Sequence, residues 1–205
     1  MSIDAHVHQW IAPEREGGPT VLALHGTGGD ENDLVPLVRS LAPGAGILSP
    51  RGAVLEHGAP RFFRRLAEGV FDLPDLALRT ETLADFIDAA ARHYEFSLGS
   101  LYAVGYSNGA NMAASLLLAR PAVLAGGVLL RAMLPFEPKH PVELQGKKVL
   151  LSGGSRDRMI PRAGTLRLNE VLEQSGAEVR LIWQEAEHGL VGGDLDSAAD
   201  FLGSL

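Results

Sequence analysis

The stretch Leu101-Tyr102-Ala103-Val104-Gly105-Tyr106-Ser107-Asn108-Gly109-Ala110 sets one serine between two glycines, after an apolar run and before an Ala- and Leu-rich run. The first run reads as a buried strand and the second as a helix. A serine on so tight a strand-to-helix elbow needs neighbours two before and two after it with almost no side chain, which Gly105 and Gly109 provide. In a chain with 24 glycines the pentapeptide alone discriminates little, so its surroundings have to decide.

Working outward, apolar runs alternate with longer amphipathic segments. Strands are expected at Val7 to Ile11, Thr20 to Leu24, Gly46 to Ser49, Ser100 to Val104, Ala125 to Leu130, Lys148 to Ser152 and Glu178 to Trp183. Helices are expected at Glu31 to Ser40, Asp75 to Tyr94, Ser107 to Ala119, Arg162 to Gln174 and Leu195 to Phe201. That alternation predicts an α/β fold, with a mostly parallel central sheet and helices on both faces. Ala5 to Ile11 alternates only weakly and is expected at an edge, with antiparallel pairing open. Arg51 to Pro74 lacks clean periodicity and reads as a long loop with a functional or capping role. No repeat, low-complexity tract or linker interrupts the chain, so residues 1–205 are read as one domain.

Composition narrows the function classes. At 205 residues, 46% hydrophobic and 21% charged, the chain can build a substantial core and does not read as disordered. A net charge of -7 argues against a nucleic-acid partner, whose phosphates call for a basic surface. Arg61-Phe62-Phe63-Arg64-Arg65 is the one local basic cluster and reads as a solvated face. With no cysteine, disulfides, thiolate zinc sites and a cysteine nucleophile are excluded. Met1 to Trp10 has no apolar core and does not read as a signal peptide. No apolar stretch reaches bilayer length, so a cytoplasmic location without membrane insertion is expected.

A serine hydroxyl becomes a useful nucleophile only when a base takes its proton, and the base needs a carboxylate to fix its tautomer. In open parallel sheets such groups gather at the carboxyl ends of strands. Ser107 follows one strand, Asp157 lies in Gly153-Gly154-Ser155-Arg156-Asp157 after another, and His188 follows the last. This Ser, Asp, His order is the chain order of α/β-hydrolases. Asp157, flanked by Arg156 and Arg158, could instead serve a surface ion pair; Asp72 and Asp75 are weaker alternatives because no strand precedes them.

His25 precedes the nucleophile and reads as a structural hydrogen-bonder, and His6, His8, His57, His93 and His140 mostly as surface groups. His6 and His8 are spaced like the seed of a metal site, but no third ligand is evident, so no metal is expected and the pair reads as surface or packing residues. An oxyanion would need two preorganised donors, expected from the N–H of Asn108 and from Thr27 in His25-Gly26-Thr27-Gly28-Gly29. That loop could equally be a plain strand-to-helix turn capped by Asp30 or Asn32.

Leu24 to Glu31, Gly105 to Ala110, Gly154 to Pro161 and His188-Gly189 together resemble the phospholipase/carboxylesterase family, an α/β-hydrolase branch that includes acyl-protein thioesterases. Arg61 to Asp72 resembles a bacterial subgroup of small carboxylesterases, some linked to hydroquinone or quinone stress. The resemblance implies Ser107 as nucleophile, Asp157 as orienter, His188 as base, and Thr27 and Asn108 as oxyanion donors. It also implies a cofactor-free esterase whose partner is a small-molecule ester or thioester. Small relatives often pair, which makes a homodimer one expectation. The alternative reading is a non-catalytic small-ligand-binding member of the same fold.

Substrate-pocket positions are expected at Phe62, Phe63, Phe71, Met133, Leu134 and Leu190, with Phe136 also walling the site. The interval Arg131 to Lys147 is short and holds Pro135, Pro138 and Pro141, so a helical lid domain is not expected there.

Overall fold

Residues 3–204 are described by a computed structural model. In chain order the elements are β1 (His8–Ile11), β2 (Thr20–Leu24), α1 (Val35–Leu41), β3 (Gly46–Pro50), β4 (Val54–Glu56), β5 (Ala59–Arg61), β6 (Arg65–Ala67), β7 (Val70–Phe71) and α2 (Leu73–Tyr94). They continue with β8 (Leu101–Tyr106), α3 (Asn108–Ala119), β9 (Gly126–Leu130), β10 (Lys148–Gly154), α4 (Arg162–Gln174), β11 (Glu178–Gln184) and α5 (Gly192–Gly203).

A seven-stranded sheet has the order β1-β3-β2-β8-β9-β10-β11, parallel throughout except for β1. β1 runs antiparallel to β3 at the edge, with His8 opposite Pro50 and Ile11 opposite Ile47. Every residue of β2, β3 and β9 is buried, because helices cover both faces. Alternate side chains divide between two apolar layers. Val21, Ala23, Val104, Val128 and Leu150 pack with Val38 of α1 and Phe201 of α5. Leu22, Leu24, Ala103, Leu129 and Leu151 pack with α2, α3 and α4. α3 is almost wholly buried, and Ala110, Ala113 and Ala114 let it lie close to the strands. No helix among the described residues is long and apolar enough to cross a membrane.

Element boundaries shift for local reasons. α1 begins at Val35, later than expected, with Pro36 in its first turn; Glu31 instead turns to Arg51 at 2.5 and 2.6 Å. α2 begins at Leu73 because the Asp72 carboxylate accepts the Asp75 N–H at 3.2 Å and Pro74 fits the first turn. The segment 51–74 is not an irregular loop: it holds two short hairpins, β4-β5 and β6-β7. His57 and Gly58 both have positive φ, which suits a two-residue turn between twisted strands.

Candidate active site

The elbow forms where β8 meets α3. Ser107 has φ 53 and ψ -114, a conformation that costs a non-glycine residue on the order of 1–3 kcal/mol. It is held there from both sides: its N–H donates to Leu130 O at 2.9 Å, and its carbonyl accepts from Asn111 N at 3.0 Å. A Cβ on Gly105 would come within 2.8 Å of the Ala110 backbone, and one on Gly109 would overlap the Leu24 carbonyl of β2. Gly109→Ala is therefore expected to push α3 off the sheet. The stability loss should reach the upper end of the about 1–3 kcal/mol typical of overpacked cores, read from the denaturant midpoint. A variant as stable as the parent would show that this contact can relax freely.

The sheet brings the three expected side chains together. His188 lies between β11 and α5, and its Nε2 is 2.9 Å from Ser107 Oγ. Its Nδ1 is 2.8 Å from Asp157 Oδ2. The Asp157 side chain is only 1% exposed, which removes the surface-ion-pair alternative, and its Oδ1 accepts the N–H groups of Met159 and Ile160 at 2.8 and 3.0 Å. A carboxylate facing Nδ1 places the ring proton there and leaves Nε2 free to accept from the serine hydroxyl. Asp72 and Asp75 are committed to the start of α2, where Asp75 also accepts the Arg64 N–H at 2.8 Å.

Thr27 and Asn108 line the same cleft as Ser107. Asn108 opens α3, so its N–H has no intrahelical acceptor. The Thr27 loop is bolted to the first hairpin. Arg61 Nη1 donates to Thr27 Oγ1 at 2.5 Å, Gly28 N to Pro60 O at 2.9 Å, and Phe62 N to Asn108 Oδ1 at 2.7 Å. His25 is structural, as expected: Nδ1 donates to Gly26 O at 2.7 Å and Nε2 accepts from Gly52 N at 2.9 Å. Burial pushes its pKa down, so it stays neutral and keeps both bonds.

The cleft beside Ser107 encloses about 40 Å³. Of the expected pocket residues, Phe71 and Met133 line it and the others do not. Phe62 and Phe63 are buried in the core, Phe63 edge-to-face with Phe71 at 5.1 Å. Leu134 and Phe136 pack against the same core, and Leu190 against the layer on the opposite face of the sheet. Three phenylalanines of equal apolar area thus divide between core and cleft according to where the hairpins dock, not by side-chain type.

The Arg61–Arg65 cluster is corrected in the opposite direction. Arg61 is 3% exposed, and both Arg61 and Arg65 line the cleft with Glu56 held between them at 3.1 and 2.8 Å. Met159, Ile160 and Asn111 also face the cleft, beyond the positions the sequence points to. For the first two, adjacency to Asp157 was the available signal. His6 takes the packing alternative: it is buried, bonded through Nδ1 to Arg51 O at 3.0 Å, while His8 Nε2 meets Tyr94 Oη at 2.8 Å. No group of three metal-ligating side chains occurs among the described residues.

No family model matches the sequence. The chain is 44% identical over 181 residues to MhqD of Bacillus subtilis, which carries the name of a hydrolase, covering 88% of this chain and 90% of that protein. A carboxylesterase of Bacillus cereus superposes with TM-score 0.94 at 41% identity, over 97% of this chain and 94% of that one. A carboxylesterase of Mesorhizobium loti gives TM-score 0.91 at 28% identity, over 98% and 96%. The SOBER1 structure of Arabidopsis thaliana, at 18% identity and TM-score 0.75, shares the fold. The chain therefore belongs to the phospholipase/carboxylesterase family of α/β-hydrolases and is a carboxylesterase-type hydrolase.

Proposed function

We propose that Ser107, His188 and Asp157 act as a catalytic triad on carboxylic esters of short to medium acyl or aryl type, with thioesters in the same class. The observation that carries this reading is the continuous relay from Ser107 Oγ through His188 to Asp157, at 2.9 and 2.8 Å. As Ser107 Oγ bonds to the ester carbonyl carbon, its proton passes to His188 Nε2. The carbonyl oxygen becomes an oxyanion held by the N–H groups of Thr27 and Asn108. Collapse breaks the bond to the leaving group, which departs with the proton from His188. Water, deprotonated by the same nitrogen, then attacks the acyl-serine, and the acid leaves as Ser107 recovers its proton.

The size of the site supports a short acyl group. About 40 Å³ has room for on the order of three waters, and Met133, Met159, Ile160 and Phe71 share its walls with Arg61, Arg65 and Glu68. Each further methylene would gain about 0.8 kcal/mol only if the site could bury it. The interval 131–147 contains no helix, so nothing there can act as a mobile helical lid. Across p-nitrophenyl acetate, butyrate, octanoate and palmitate, kcat/KM is expected to peak among the shorter esters and to show no jump above the micelle threshold. A value that climbs through palmitate would overturn the short-acyl reading, and a matched thioester panel tests the thioester part.

A further inference from the structure

Arg131 directly follows β9 with φ 60, in the left-handed region that residues with a side chain seldom occupy. That backbone turn sends its side chain inward, where it is 0% exposed and pairs with Asp194, also 0% exposed. The pair is bidentate, with Nη1 and Nη2 each 2.8 Å from a carboxylate oxygen. Asp194 also accepts from Ser152 Oγ at 2.6 Å and from the Val191 N–H at 2.8 Å. Burial works against its carboxylate, but these bonds outweigh it and hold its pKa below the usual range.

The rest of the guanidinium serves the loop that carries His188. Nε donates to Glu187 O at 3.2 Å and Nη2 to Gly189 O at 2.8 Å. The carbonyl between them, His188 O, accepts from Tyr106 Oη at 3.2 Å. Three successive carbonyls thus have dedicated donors, which fixes the peptide planes on both sides of the imidazole. The same chain position reaches the other triad elements. Leu130 O accepts the Ser107 N–H, and the Arg131 N–H donates to Ser152 O on β10, the strand that leads to Asp157. The four acceptor oxygens, two on the carboxylate and two carbonyls, outnumber the three N–H donors of an ammonium, whereas a planar fork with five donors serves them all. A buried ion pair is weak evidence for stability, since apolar replacements often match it. Its partners here suit a different task.

We infer that Arg131, locked by Asp194, is a positioning residue that sets the His188 imidazole within hydrogen-bond reach of both Ser107 and Asp157. The inference rests on the triad reading above. A base loop free to shift by about 1 Å would lose on the order of 10²-fold in rate.

Two variants test it. Arg131→Met/Asp194→Asn removes both charges together, strands no buried ion, and keeps a carbonyl oxygen to accept the Val191 N–H. Arg131→Lys keeps the charge and loses the fork. In both, folded enzyme is expected to show kcat for p-nitrophenyl acetate lowered about 10²-fold with KM nearly unchanged. The low-field proton resonance of the His188–Asp157 hydrogen bond should broaden or disappear. Wild-type kcat in either folded variant, or a loss confined to KM, overturns the inference. Failure of both variants to fold would assign Arg131 to the fold alone and also overturns it. Ser107→Ala in the same assay separates the two levels: turnover close to that of the parent there sinks the triad reading, whereas a Ser107→Ala lowered by several orders of magnitude beside unimpaired Arg131 variants sinks only the positioning role.

Discussion

Ser107→Ala is expected to lower kcat by roughly 10⁵–10⁶-fold while leaving the melting temperature close to that of the parent. The change removes one oxygen whose only described partner is His188 Nε2, at 2.9 Å. The backbone bonds that hold the elbow, to Leu130 O and from Asn111 N, do not involve that oxygen. A fluorophosphonate should label Ser107 and no other residue. Ser152 Oγ is committed to Asp194, and Ser115 Oγ lies 2.7 Å from Thr80 Oγ1 inside the protein. Neither has an imidazole to take its proton. Peptide mapping that placed the label on Ser155 or Ser100, or found none in folded protein, would refute the assignment of the nucleophile.

Asp157→Asn is expected to cost on the order of 10⁴-fold in kcat with little change in KM, because the exchange enforces the wrong tautomer. The direction of the new amide is determined by its surroundings. Met159 and Ile160 direct their N–H groups at Oδ1, so the asparagine oxygen must stay there and its NH₂ must face His188. A donor opposite Nδ1 turns that nitrogen into an acceptor and places the ring proton on Nε2, which can then no longer accept from Ser107. Near-parental activity in Asp157→Asn, with Asp72→Asn or Asp75→Asn inactive, would transfer the role of the carboxylate. Asp72 caps the start of α2 and Asp75 accepts the Arg64 N–H, and these structural commitments argue against that outcome.

The features legible in the chain were those imposed by short-range sterics and regular periods. A strand buried on both faces must be apolar throughout, so the central strands stood out. An elbow that brings α3 against Leu24 admits only glycine at 105 and 109, so Ser107 was marked by its neighbours. Asp157 and His188 could be ordered because they follow strands in a parallel sheet, whose carboxyl ends share one edge. The short hairpins leave no signature in the chain because strands of two or three residues are too brief to express a period.

What the tertiary structure decided was which of several similar residues meet across long separations. Nothing local distinguishes Arg61, buried against Thr27, from Arg64, whose side chain is 61% exposed. Nor does anything local place Phe63 in the core and Phe71 at the cleft. Arg131 and Asp194 lie 63 positions apart, and only the docking of α5 on the sheet brings them together. A residue's period and size report on its own element. Charge pairing and pocket lining depend on where other elements dock, and only the packed fold carries that information.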